Sequence, residues 1–318
     1  MDNAIKKLLQ KQQYAFTGRH SAVKLCRWTK KAIRGEGHCY KQEFYGIESH
    51  RCVQLAPGVT SCQNRCIFCW RPIEFTDNEI GTPLDQPDEI IDNALAMQKR
   101  LLSGFGGTEK TDIQKFKQSK EPKHFAISLA GEPTLYPKLN ELISAVHRRG
   151  MTSFVVTNGM LPERLEGIEP PTQLYLSVDA PNESLFKKID QPTLEDGWKR
   201  LIQSLDAVKK LKSKTRTTLR LTLIKGMNMV HPEQWAELIM KAEPMFVEVK
   251  AYMFVGFSRQ RLLMENMPLH NEVRDFAMEI SKHCPYTLVM EKKESRVVLM
   301  MREGMEYRLL NKIMQEKK

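Results

Sequence analysis

CVQLAPGVTSCQNRCIFCWRP, residues 52–72, decides how the rest of the chain is read. Its short apolar start predicts a strand over 52–56, and Cys62, Cys66 and Cys69 fall in the loop directly behind it, ahead of a long helical pattern at 87–103. The same alternation then repeats. Apolar, β-branched runs predict strands over 124–129, 153–157, 174–178, 217–224 and 245–251, and amphipathic stretches predict helices over 137–149, 182–189, 194–211 and 232–241. Strands alternating with helices specify a parallel sheet with right-handed crossovers, and six strands suffice for a partial (β/α)6, TIM-like barrel. The expected fold class is therefore α/β, with a doubly wound open sheet as the alternative. A helix at 271–283 and apolar runs at 286–290 and 296–301 read as a closing helix and a hairpin or edge strand. This gives a basic N-terminal extension over 1–52, a barrel over 53–255 and a C-terminal extension over 256–318 that completes the fold. Residues 103–123, SGFGGTEKTDIQKFKQSKEPK, are Gly-rich and then Lys-rich, and predict a mobile basic insertion outside the core.

Composition narrows the function. A chain of 318 residues, 41% hydrophobic, can bury a sizeable core, which excludes wholesale disorder. No apolar run approaches the roughly 20 residues that span a bilayer, and the N-terminus lacks the apolar core of a signal peptide, so a cytoplasmic protein without membrane attachment is expected. Charge is uneven: residues 1–51 carry 11 Lys/Arg against 4 Asp/Glu, most of the net +11. With Tyr14, Phe16, Trp28, Tyr40, Phe44 and Tyr45 interleaved, that segment suits a phosphate-rich partner, although a solvated basic face is the commoner cause of such a run. Candidate phosphate grips are Lys24, Arg27, Lys30, Lys31 and Arg34, the 103–123 stretch, and Arg259 with Arg261.

Seven cysteines in a reducing compartment argue for metal or redox chemistry rather than disulfides, and six of them lie between residues 26 and 69. Thiolates select zinc or iron–sulfur clusters, and no fourth Cys or His follows the Cys62, Cys66, Cys69 loop at zinc spacing. Three ligands to a four-iron cluster leave one iron open to substrate or cofactor. Cys26, Cys39 and Cys52 form a second triad, for which a second cluster competes with zinc completed by His38 or His50. Lys41 sits between two of these cysteines, and a lysine there can form a Schiff base with a carbonyl, although most lysines in basic segments contact solvent or phosphate.

The C-x3-C-x2-C loop with Phe68 inside it and Trp70 after it resembles the signature of the radical S-adenosylmethionine (SAM) superfamily. That resemblance implies that the cluster on Cys62, Cys66 and Cys69 chelates SAM and cleaves it to a 5′-deoxyadenosyl radical. Ala130-Gly131-Glu132-Pro133 resembles the superfamily's Gly-Gly-Glu segment, with Ala130 in place of a glycine, and implies Gly131 and Glu132 at the SAM amine. Asn158, Ser177, Asp179 and Asn228 stand at later strand ends, where the superfamily holds the SAM carboxylate and ribose. Each alone could be an ordinary helix cap or turn residue.

A narrower resemblance rests on Cys39-Tyr40-Lys41, Phe44-Tyr45-Gly46-Ile47, Ser49-His50-Arg51-Cys52, Cys69-Trp70-Arg71-Pro72, Gly256-Phe257-Ser258-Arg259 and Asn266-Met267-Pro268. These segments are similar to the tRNA 4-demethylwyosine synthases, the radical SAM enzymes of wyosine and wybutosine biosynthesis, and to their single-domain archaeal type. The resemblance implies a lyase that condenses N1-methylguanosine beside the anticodon of tRNA-Phe with pyruvate. It further implies two [4Fe-4S] clusters, on Cys62, Cys66 and Cys69 and on Cys26, Cys39 and Cys52, with Lys41 as the Schiff-base former. Electrons would come from an external donor of flavodoxin or ferredoxin type, and a monomer is expected. The competing readings are a radical SAM glycyl-radical activase and a non-catalytic zinc-containing RNA-binding protein.

Overall fold

The computed structural model describes residues 3–304. The chain divides into two compact units, one running to Ser61 and taking in Glu79–Val155, the other made of Cys62–Asn78 and the described residues from 156 onward.

In the first unit, α1 (Asn3–Lys11), β1 (Ala15–Phe16), β2 (Ala22–Lys24), α2 (Arg27–Ile33), α3 (Tyr40–Tyr45) and β3 (Cys52–Ala56) come first. Then follow α4 (Pro87–Leu102), α5 (Ile113–Ser119), β4 (His124–Ile127), α6 (Leu139–Arg148) and β5 (Thr152–Thr157), whose last two residues belong to the second unit. β1, β2 and β3 pair antiparallel; β3, β4 and β5 run parallel, with Val53 beside Phe125 and Phe125 beside Ser153. α4 forms where Pro87 presets the first turn, Asp88 and Glu89 meet the positive end of the helix dipole, and Lys99 and Arg100 meet the negative end. Its apolar stripe of Ile90, Ile91, Ala94 and Leu102 is fully buried.

In the second unit, α7 (Pro162–Glu166), β6 (Gln173–Ser177), α8 (Glu183–Ile189), α9 (Gly197–Leu211), β7 (Arg216–Leu223), α10 (Pro232–Ala242), β8 (Phe246–Ala251), α11 (His270–Ser281), β9 (Tyr286–Lys292) and β10 (Val297–Arg302) follow in order. β6, β7 and β8 run parallel, and β10 lies antiparallel to both β8 and β9. β7 shows how the sequence separates two faces with a period of two. Leu219, Leu221 and Leu223 are fully buried, each contributing about 1.5–3 kcal/mol of burial. On the opposite face Arg220 pairs with the fully buried Glu248 at 3.0 Å and lies 4.8 Å from the Tyr175 ring centroid. A buried carboxylate needs such a partner to remain charged.

The six expected parallel strands are present, with ends differing by at most two residues. Two expectations change. The short pair β1 and β2 is not legible in the sequence, because two- and three-residue strands carry no measurable period. Residues 103–123 are not a loose insertion: Phe105 and Phe116 pack against Leu25, Ile33 and Leu102, Asp112 N–H donates to the Ile33 carbonyl at 2.8 Å, and Gln118 bonds His50 at 2.7 Å. Two aromatic anchors seat this basic stretch on α2. Of the expected C-terminal extension, residues 305–318 lie outside the described residues. Among the described residues no helix is long and apolar enough to cross a membrane.

Candidate active site

The second cysteine triad belongs entirely to the first unit. Cys26 and Cys39 each stand at the N-cap of a short helix, α2 and α3, in extended backbone conformation, and Cys52 opens β3. Burial pushes the Cys26 thiol up, while backbone N–H groups of Trp28 and Thr29 and the charge of Lys41 oppose it. Burial, with the neighbouring thiols of Cys26 and Cys39, pushes Cys52 up against the same lysine. Lys41 thus stands within electrostatic reach of two triad members, and its Nζ lies 5.0 Å from the ring centroid of Phe154 on β5. Each of the two histidines that could complete a zinc site bonds another side chain through Nε2: His38 meets Glu43 at 2.7 Å, and His50 meets Gln118 at the same distance.

Gly131 and Glu132 also lie in the first unit, just past β4. Gly131 has φ +70°, and a Cβ there would overlap the Gly58 carbonyl oxygen and come within 2.8 Å of that of Ser61. Glu132 N–H donates to the Ser61 carbonyl at 2.7 Å, and its buried carboxylate accepts from Thr134 N–H and hydroxyl at 3.0 and 2.7 Å. The loop before Cys62 is therefore tied to the segment after β4. Gly131→Ala should cost on the order of 3 kcal/mol, through left-handed strain and backbone overlap together, as a lowered denaturant midpoint will show.

The first triad lies in the second unit. Cys62 is buried; Asn64 N–H and Asn158 Nδ2 donate to its sulfur at 3.4 and 3.5 Å. Cys66 Sγ meets Asp190 Oδ1 at 3.3 Å, and burial together with the charges of Asp190, Cys62 and Cys69 pushes its thiol well up. Arg71, 5% exposed, bonds the Cys69 sulfur. Such donors aimed at sulfur are what thiolate ligands require, and the Asp190 Oδ2, Asn64 Oδ1 and Gln63 Oε1 atoms are buried without a hydrogen-bond partner. Among the described residues no three His, Cys, Asp or Glu side chains close on one point as a single zinc ion would demand.

Asp179 and Asn228 occupy strand ends of this same unit. Burial raises the Asp179 carboxyl, opposed by bonds from Thr222, whose N–H donates at 3.1 Å. The fully buried Asn228 amide is spent on backbone groups: Oδ1 accepts from Ile224 N–H at 2.6 Å, and Nδ2 donates to the carbonyls of Thr222, in its own turn, and of Asp179, at the end of the neighbouring strand, at 2.7 and 2.8 Å. It shapes the strand end. Ser177, half-buried, closes β6 beside Arg220 in the register.

Sequence reasoning misses Asp190 and Arg71 as neighbours of the thiols. Asp190 lies 124 positions from Cys66, and no local pattern signals it; Arg71, within the distinctive Cys-Trp-Arg-Pro run, could have been found. Contrary to the expectation that Arg261 grips phosphate, its guanidinium is turned onto the backbone of the cysteine loop.

Parallel strands alternating with helices, and three thiols in the loop behind the first of them, define a radical SAM protein, and residues 58–239 match the Radical SAM superfamily. Residues 241–302 match the family of wyosine base formation. The S-adenosyl-L-methionine-dependent tRNA 4-demethylwyosine synthase of Pyrococcus abyssi is 48% identical over 312 residues, 96% of this chain and 91% of that one. The mouse protein of that name is 41% identical over 93% of this chain, which spans 41% of its length. A solved structure of TYW1 with a lysine-pyruvate adduct bound is 40% identical and superposes with a TM-score of 0.87 over 96% of this chain and 97% of its own. This chain belongs to the S-adenosyl-L-methionine-dependent tRNA 4-demethylwyosine synthases. The partial-barrel expectation stands with that family and fold.

Proposed function

We propose that the chain joins N1-methylguanosine, beside the anticodon of tRNA-Phe, to two carbons of pyruvate, with loss of the pyruvate carboxyl carbon, as a carbon–carbon lyase. The observation that carries this reading is the setting of Lys41, over Phe154 and within reach of Cys26 and Cys52. A relative at 40% identity holds a lysine-pyruvate adduct, and an amine seated at a cysteine triad is the group to form one here. Lys41 Nζ attacks the keto carbon of pyruvate, and water leaves as the imine forms.

Cys26, Cys39 and Cys52 would hold the second cluster, supplying Lewis-acidic iron for an α-keto acid, and Cys62, Cys66 and Cys69 would hold the first. When bound there and reduced by a flavodoxin- or ferredoxin-type donor, the first cluster would supply the electron for cleaving SAM to a radical able to take hydrogen from the N-methyl group. Around it Asn158, Asn64 and Arg71 direct donors at sulfur. Gly131 and Glu132 serve the SAM amine, Ser177 and Asp179 its polar ends, and Asn228 holds the turn that presents Asp179.

The test is anaerobic incubation with tRNA bearing N1-methylguanosine, SAM, a reductant and labelled pyruvate. The tricyclic base carrying two pyruvate carbons is expected; SAM cleavage with no label in the tRNA overturns the reading.

Binding tRNA requires splaying a stacked base at a cost of a few kcal/mol, offset by phosphate contacts. Lys30→Glu with Lys31→Glu should weaken tRNA binding and flatten its salt dependence by about one unit for each phosphate no longer gripped, with tRNA-free SAM cleavage unchanged. Salt-titrated binding measures this.

A further inference from the structure

Arg261 spends its guanidinium on the loop that carries the first triad. Nε donates to the Ile67 carbonyl at 3.0 Å, one terminal nitrogen donates to the carbonyls of Cys69 and Arg71, the latter at 3.2 Å, and the other meets Glu74 at 3.3 Å. The side chain is 15% exposed. Three carbonyl dipoles converging on one point repel each other unless a cation with forked donors fills it, and a guanidinium has that shape where an ammonium does not.

The segment bearing Arg261 is itself fixed to the same loop. Phe257 N–H donates to the Trp70 carbonyl at 3.0 Å, and Gly256, at φ +60°, comes so close that a Cβ would sit 2.5 Å from that oxygen. Leu262 and Tyr252 pack with Ile67 and Phe68. Arg261 falls within the wyosine base formation match at 241–302, whereas the cysteine loop falls within the Radical SAM match at 58–239.

We propose that Arg261 is a positioning residue that shapes the Cys66–Cys69 limb of the loop before any cluster arrives, so that the wyosine-specific segment holds the radical-generating site in form. The proposal rests on the reading of Cys62, Cys66 and Cys69 as cluster ligands, but its test begins on the cluster-free chain. Amide exchange is followed in peptides covering residues 66–75, where Cys69 N–H bonds the Cys66 carbonyl and Phe75 N–H bonds the Pro72 carbonyl.

Arg261→Gln should speed exchange there about tenfold or more, with α9 protection unchanged. Arg261→Lys, which keeps the charge without the fork and is the variant expected to fold in any case, should loosen the same peptides. Glu74→Gln, which removes only the exposed partner, should not. After anaerobic reconstitution, the first-cluster paramagnetic signal of Arg261→Lys should lose the change that SAM induces in the unaltered protein. Unchanged exchange in both arginine variants, or full restoration by lysine, would overturn the proposal. Absence of any cluster on Cys62, Cys66 and Cys69 in the unaltered protein would instead fault the cluster reading, and the exchange result would stand apart from it.

Discussion

Lys41→Ala should load both cysteine triads with iron as the unaltered protein does and yet incorporate no pyruvate carbon into tRNA. The loss should be on the order of a thousandfold or more, because a free amine in solution would have to replace one held at an effective molarity of about 10⁵ M or higher. Lys41→Arg separates the chemistry from the charge. It keeps a cation available to the Phe154 face but offers no imine-forming amine, and it should be as inactive as alanine. Borohydride with labelled pyruvate should fix label to residue 41 in the unaltered protein alone. Activity retained in Lys41→Ala would leave the lysine as a cation on an aromatic face, worth about 1 kcal/mol.

The second large effect separates the two triads. Cys62→Ala should abolish SAM cleavage, whereas Cys39→Ala should continue to release 5′-deoxyadenosine while forming no tricyclic base. The reason lies in the neighbours of each sulfur. Cys62 accepts hydrogen bonds from Asn158 and Asn64 in the second unit, and Cys39 caps α3, on which Lys41 is carried. Product analysis of both variants, with first-cluster spectra as a control, reads the contrast. A Cys39→Ala variant with an intact first cluster and no SAM cleavage would show that the two triads do not work separately.

Much of this is written locally in the chain. The six parallel strands follow from short apolar runs between turn residues, and the cysteine loop follows from spacing alone. The misses share a physical cause. Phe105 and Phe116 seat the 103–123 stretch on Leu25 and Ile33, a packing between segments about 80 positions apart, and their glycine- and lysine-rich surroundings conceal it. Arg261 reads as a surface cation until the three carbonyls it faces are known, and those belong to a loop some 190 positions earlier. Asp190 reaches Cys66 in the same non-local way. Asn228 stands at the strand end where its sequence position puts it, but its amide is used by backbone groups, those of Ile224 close by and of Asp179 49 positions earlier.

The central claim is that one chain carries two clusters with separate duties, and iron and acid-labile sulfide counted on anaerobically purified protein test it most directly. About eight irons per chain, four for each triad, are predicted, falling to about four in either Cys62→Ala or Cys39→Ala. About four irons in the unaltered protein would contradict the second cluster, and stoichiometric zinc with no iron would contradict the account as a whole.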